Sequence, residues 1–194
     1  MKILKVGFDL DGVILYNPLR NFRPFAKQIL KPMKATILHQ EKENFYLPKS
    51  PMEKWLWMMI HKTSFRVNRG YDELRKLAKG KGYEFFLITG RYGFLETDYK
   101  NWLKKINAEH TFKACYLNRD NAQPNAFKEK MIKRLKLDFY VEDNWDIIEK
   151  LNHHTGSNIL WITNFVDRRI PYENKFNDLK EVFSFLKKYR SRRA

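Results

Sequence analysis

Five short apolar runs, over residues 3–8, 83–89, 112–117, 138–142 and 158–163, constrain this chain more than any other feature. Each is rich in aromatic and β-branched residues, and each halts at a polar or acidic residue. Apolar runs of that length read as strands buried on both faces. Helix-length polar segments separate them, with helices expected over 71–79, 96–106, 125–135, 145–151 and 177–189. Gly80 and Gly82 stand where the first of these should close. In the last, Leu179, Val182, Phe183 and Leu186 recur at helical spacing, a stripe for core packing. Strands alternating with helices predict βαβ units, hence an α/β fold with a three-layer parallel sheet.

One connection breaks the alternation. A crossover needs a dozen or so residues, whereas about 70 separate Gly12 from Gly82. Residues 15–70 carry their own punctuation in Pro18, Pro24, Pro32, Pro48 and Pro51, with helices expected near 22–30 and 52–62. They read as a small, mainly helical cap inserted into a core made of 1–14 and 71–194. Phe45, Tyr46, Trp55 and Trp57 are candidates for stacking on a base. Trp55 and Trp57, in the run E-K-W-L-W-M-M-I, are expected instead to pack the cap onto the core.

At 194 residues and 43% apolar, the chain can bury a full core, which excludes wholesale disorder and a disulfide-stapled miniprotein. Cys115 is the one cysteine, the run from Trp55 to Ile60 is far too short for a bilayer, and charge interrupts the first residues too early for a signal peptide. A reducing, cytoplasmic compartment without membrane contact is expected. The 38 Lys and Arg against 22 Asp and Glu give a net +16, which points to polyanionic partners. The excess is uneven: residues 15–70 carry +8, and 187–193, expected to fray, carry +5. The remaining core is nearly balanced, so the charge reads as a positive lid for an anionic substrate, with nucleic acid as a further partner through cap and tail.

The residues able to carry chemistry stand at the ends of the expected strands. Asp9-Leu10-Asp11-Gly12 follows the first, placing two carboxylates where the chain must turn, and ligands bind at such carboxyl ends in doubly wound sheets. A calcium loop is excluded, because it would need a ligand at Val13, glycine at Ile14 and a carboxylate at Arg20. Thr89-Gly90-Arg91 ends the second strand, where a hydroxyl, backbone N–H groups and a guanidinium fork suit a phosphoryl group. Lys128, in the first turn of the helix near Asn125, runs against the helix dipole and needs either a partner or solvent. Glu142-Asp143 ends the fourth strand. Adjacent acids there resist burial unless a cation joins them, and oxygen ligands from Asp9, Asp11 and Asp143 suit Mg²⁺ better than zinc. His153-His154 reads as surface.

Four such motifs, D-L-D-G, T-G-R, Lys128 and E-D, in this order and each at an element end, resemble the haloacid dehalogenase (HAD) superfamily of phosphotransferases over about two thirds of the chain. The resemblance implies a Rossmann-like sheet with a cap between the first two motifs. Asp9 would be the nucleophile that forms an aspartyl-phosphate, and Asp11 the acid and base. Mg²⁺ would sit on Asp9, the Asp11 carbonyl and Asp143, while Thr89 and Lys128 neutralise the phosphoryl charge. An aspartate at position 11 favours a phosphatase over a dehalogenase or a P-type ATPase. The T-G-R form with Y-L-N-R-D at 116–120 is similar to polynucleotide kinase-phosphatases and nucleotidase-type members, making Gly90, Arg91 and Arg119 substrate-binding candidates. Glu142 stands where many relatives have aspartate, as a metal ligand or a residue behind one. The expected substrate is a nucleotide-type phosphomonoester. The alternatives are a nucleic-acid 3′-end phosphatase and an inactive nucleic-acid-binding protein.

Overall fold

In a computed structural model, the structure describes residues 2–18, 45–152, 154–165 and 167–192. Its main sheet has six strands in the order β5-β4-β1-β6-β7-β8, all paired in parallel. They are β1 (Leu4–Phe8), β4 (Tyr83–Tyr92), β5 (Ala114–Asn118), β6 (Phe139–Glu142), β7 (Asn158–Ile162) and β8 (Lys175–Phe176). The five apolar runs are the first five of these. The edge strand β8, two residues in a polar stretch, carries no apolar run to mark it.

Period-two alternation sends each strand's side chains to opposite faces. On one face Val6, Phe8, Phe85, Leu87, Val141 and Leu160 pack with α2 (Tyr71–Ala78), α3 (Glu96–Lys105) and α6 (Leu179–Ser191). On the other, Phe86, Ile88, Tyr140, Ile159 and Trp161 pack with α4 (Pro124–Leu135) and α5 (Trp145–Asn152). This is the expected three-layer architecture. At Gly7 a side chain would meet Leu137 and Tyr140 at 2.6 and 2.8 Å, so the missing Cβ lets the helix-side core close against the middle strand.

Two expectations about the ends of helices are corrected. Helix α2 closes on Lys79 in right-handed conformation, not on a glycine. At Gly82 a side chain would displace the Arg190 guanidinium, which lies where its Cβ would be. Nor do residues 187–191 fray: α6 runs on through Ser191. Tyr189 meets Phe139 edge-on at 4.9 Å, Arg190 covers the Tyr83 ring, and Lys187 pairs with Glu73 at 2.5 Å.

Of the inserted segment, the structure describes α1 (Pro51–Lys62) and an antiparallel ribbon of β2 (Leu15–Tyr16) with β3 (Arg66–Val67). The helix expected near 22–30 lies outside the described residues. Ser50 and Glu53 form a reciprocal capping box that starts α1. The helix turns Glu53, Trp57 and His61 inward, while Met52, Trp55, Leu56, Met59 and Ile60 stand in the open. Trp55 therefore does not pack the insertion onto the core, and the rings that Trp57 meets, Tyr46 at 5.8 Å and His61 at 6.1 Å, belong to the insertion itself. Among the described residues, no helix is long and apolar enough to cross a membrane.

Candidate active site

The parallel register aligns Phe8 with Leu87 on one side and Val141 on the other, so the motif residues that follow on these strands come level at the middle of the sheet. The chain leaves β1 through a tight loop in which Leu15 N–H reaches Leu10 O at 2.7 Å and Gly12 N–H reaches Leu15 O at 2.8 Å. Gly12 takes φ +82°, which favours glycine. It is needed for space as well, since a Cβ there would stand 2.1 Å from Asp143 Oδ2. The first and fourth motifs thus touch directly.

Asp9, Glu142 and Asp143, all buried, bring carboxylate oxygens within 4.8 Å of one another. Lys128 enters this cluster from the second turn of α4, its Nζ 2.6 Å from Glu142 Oε2 and 3.2 Å from Asp9 Oδ1. It is a fully buried ammonium, not a solvated helix charge. The remaining Glu142 oxygen accepts the Asp143 and Asn144 N–H groups, each at 3.1 Å. Both Glu142 oxygens are therefore engaged within the protein. Burial raises Asp9 well above the usual carboxylate range; Lys128 opposes this, while Glu142, Asp143 and Asp11 add to it. Glu142 is raised by burial, with Lys128 again opposing. Burial would lower Lys128, but Asp9 and Glu142 outweigh it and hold the lysine charged. One ammonium against three buried acids leaves an excess of negative charge. The cluster offers hard oxygen donors and, among the described residues, no cysteine or histidine ligand, so it fits a magnesium-type cation.

Thr89, also buried, lies where β4 bulges between Thr89 and Tyr92, a device that re-aims side chains. Its Oγ1 accepts the Arg91 N–H at 3.3 Å. Just past Thr89, Arg91 is buried. Its Nε reaches Asp11 Oδ2 at 2.6 Å and its Nη2 reaches Asp11 Oδ1 at 2.7 Å, while Nη1 pairs with Asp98 on α3. The fork expected to hold a phosphate here holds Asp11, the second carboxylate of the first motif. Burial would raise Asp11, but the Arg91 charge and hydrogen bonds prevail and hold it well below the usual range. Arg119, 67% exposed, pairs with Glu96 at 3.0 Å and touches none of these residues. Gly90 lies against Pro124, where a Cβ would approach to 2.9 Å, so it admits the N-terminus of α4 and with it Lys128. His154 is exposed, as expected, and His153 lies outside the described residues.

Three participants escaped the sequence reading. Ser64 and His61, just beyond and at the end of α1, reach Asp11 across the chain. Asp98 left a faint signal as an acid in the first turn of α3, seven residues after Arg91.

No family model and no curated protein matches the chain. Solved structures do. A HAD-superfamily hydrolase from Ehrlichia chaffeensis aligns over 97% of this chain and 98% of its own at 16% identity, TM-score 0.55. A HAD-hydrolase from Bacillus subtilis bound to magnesium aligns over 96% and 100% at 14% identity, TM-score 0.61. CbbY from Rhodobacter sphaeroides in complex with phosphate aligns over 91% and 95% at 14% identity, TM-score 0.59. The chain has the HAD fold. On that fold the four motifs of this sequence meet at the carboxyl end of the central strands, where ligands of open α/β sheets bind.

Proposed function

We propose that this protein is a Mg²⁺-dependent phosphatase that hydrolyses a nucleotide-type phosphomonoester through an aspartyl-phosphate on Asp9. The observation that carries this reading is the convergence of Asp9 with Lys128 at 3.2 Å inside the buried acidic cluster, with Asp11 two residues on. A carboxylate nucleophile needs its charge neutralised before an anionic phosphate can approach. Lys128 supplies one positive charge and a cation held by Asp9, Asp143 and the Asp11 carbonyl would supply the rest. When bound, the cation would draw charge from the phosphoryl oxygens. Glu142, with both oxygens engaged, is assigned to anchoring Lys128 rather than to the metal. Solved structures of the same fold hold magnesium in one case and phosphate in another, which supports the ligand classes.

In the first step an Asp9 oxygen bonds to phosphorus, the ester P–O bond breaks, and the leaving oxygen takes a proton from Asp11. In the second, Asp11 takes a proton from water, the water oxygen bonds to phosphorus, and the Asp9–phosphorus bond breaks. The Arg91 fork keeps Asp11 ionised at rest, the form that the second step uses. In the first step it makes the protonated form scarce but a strong donor to an alkoxide.

The test is turnover of an aryl phosphate with Mg²⁺ and with chelator, repeated with Asp9→Asn. Metal-dependent turnover lost in the variant is expected; none from the unaltered protein would refute the reading. Mononucleotides set against 3′-phosphorylated oligonucleotides then choose the substrate. Preference for the oligonucleotide, with strong salt dependence, would favour end-processing.

A further inference from the structure

The Asp11 carboxylate is held from two directions. From the core, the Arg91 fork takes one edge. From the insertion, the Ser64 hydroxyl donates to Oδ1 at 2.9 Å and His61 Nδ1 stands 3.4 Å from Oδ2. Ser64 is 2% exposed, so its hydroxyl is buried with the Asp11 carboxylate as its acceptor. The stretch bearing both residues is stitched to the loop that carries Asp11. Asn68 Nδ2 donates to the carbonyls of Gly12 and Val13 at 2.9 Å, Asn68 N–H reaches Ile14 O at 2.8 Å, and β3 pairs with β2. The exit of the insertion and the acid–base loop form one clasp.

Resting on the phosphatase reading, we propose that Ser64 and His61 are positioning residues for Asp11, through which seating of the insertion on the core sets the direction of proton transfer to the leaving group. The Arg91 fork, itself pinned by Asp98, ties both Asp11 oxygens to the core. Ser64, with His61 close by, ties the same carboxylate to the insertion, so that its orientation depends on how the insertion is seated. Their loss harms the step in which the leaving oxygen needs a proton, and harms it in proportion to that oxygen's basicity. A residue that served stability alone would slow all substrates alike.

The experiment compares kcat/KM on phenyl phosphate, whose phenolate is strongly basic, with 4-nitrophenyl phosphate, of similar shape but with a weakly basic leaving group. General acid catalysis contributes roughly a hundred-fold or more, and misorienting the donor forfeits part of it. Ser64→Ala is expected to lose about ten-fold on phenyl phosphate and about two-fold on 4-nitrophenyl phosphate, with Ser64→Thr restoring the ratio. His61→Gln, at a partly exposed position, reads the same ratio should Ser64→Ala not fold. Equal losses on both substrates would overturn the positioning role while leaving the phosphatase reading intact. No turnover by the unaltered protein on either would overturn both.

Discussion

Arg91 and Lys128 are buried cations with different duties. Arg91 satisfies two carboxylates from separate elements, Asp11 and Asp98. Removing it strands them, and breaking a buried pair costs about 3–5 kcal/mol. Arg91→Ala is expected to lower the melting temperature by roughly 10 °C. Arg91→Lys should retain the charge but lose the fork, falling between the two; a variant that melts with the wild type would contradict the latch. Lys128 leaves its cluster short of positive charge, and the consequence appears as pH dependence. Asp9 and Glu142 are raised, so the folded protein holds protons there that the unfolded chain has already released. Between the ordinary carboxylate pKa near 4 and the raised values, stability must fall as pH rises. Thermal melts of metal-free protein across that range should show a decline that is shallower in Asp9→Asn, and Mg²⁺ should stabilise most at the high-pH end. Equal slopes in wild type and variant would be evidence against the charged cluster.

At the scale of elements, each strand with an apolar run was legible, because a strand buried on both faces must be apolar along its length. The ribbon β2–β3 and the edge strand β8, two residues apiece, are defined by pairing partners far along the chain and leave no periodic signal. The site divided in the same way. Asp9, Asp11 and Asp143 were legible because each follows the end of a strand, and Thr89, inside β4, and Lys128, in the second turn of α4, through the motifs around them, whereas the partner of Arg91 lies 80 residues away and no local pattern encodes it. Ser64 was invisible for the same reason, 53 residues from Asp11. Helix α1 shows how a pattern misleads: its apolar run predicted packing, yet Trp55 is 54% exposed while Trp57 is half-buried. Trp55→Gln should change stability by less than about 0.5 kcal/mol, and chemical denaturation would detect more. The C-terminal turn of α6 reverses the expectation of a frayed tail. Deleting residues 187–194 removes the Tyr189 contact with Phe139 and the Arg190 cover on Tyr83. An aromatic pair contributes about 0.5–1.5 kcal/mol beyond its buried area, so the truncated chain should melt several degrees lower, and an unchanged midpoint would show the turn to be idle.

For the whole molecule, the sequence carries a net charge of +16, whereas the buried cluster sets three carboxyl groups against one ammonium. The two fields act at different ranges. Within the site the acids would repel a phosphate until a cation and Lys128 cancel them, and burial keeps that interaction from being screened by salt. Outside it, the net positive charge of the chain would draw phosphate dianions over distances comparable to the Debye length, about 30 Å at 0.01 M salt but about 10 Å at 0.1 M. The long-range part speeds encounter and plays no part once substrate is bound. Raising the salt from about 10 mM to about 200 mM at constant free Mg²⁺ should therefore lower kcat/KM for a mononucleotide several-fold while leaving kcat nearly unchanged. An oligonucleotide end, whose every backbone phosphate meets the same field, should lose far more. A kcat that fell in step with kcat/KM would place the salt-sensitive charges inside the site, against the division between the net positive charge of the chain and a buried, unscreened centre.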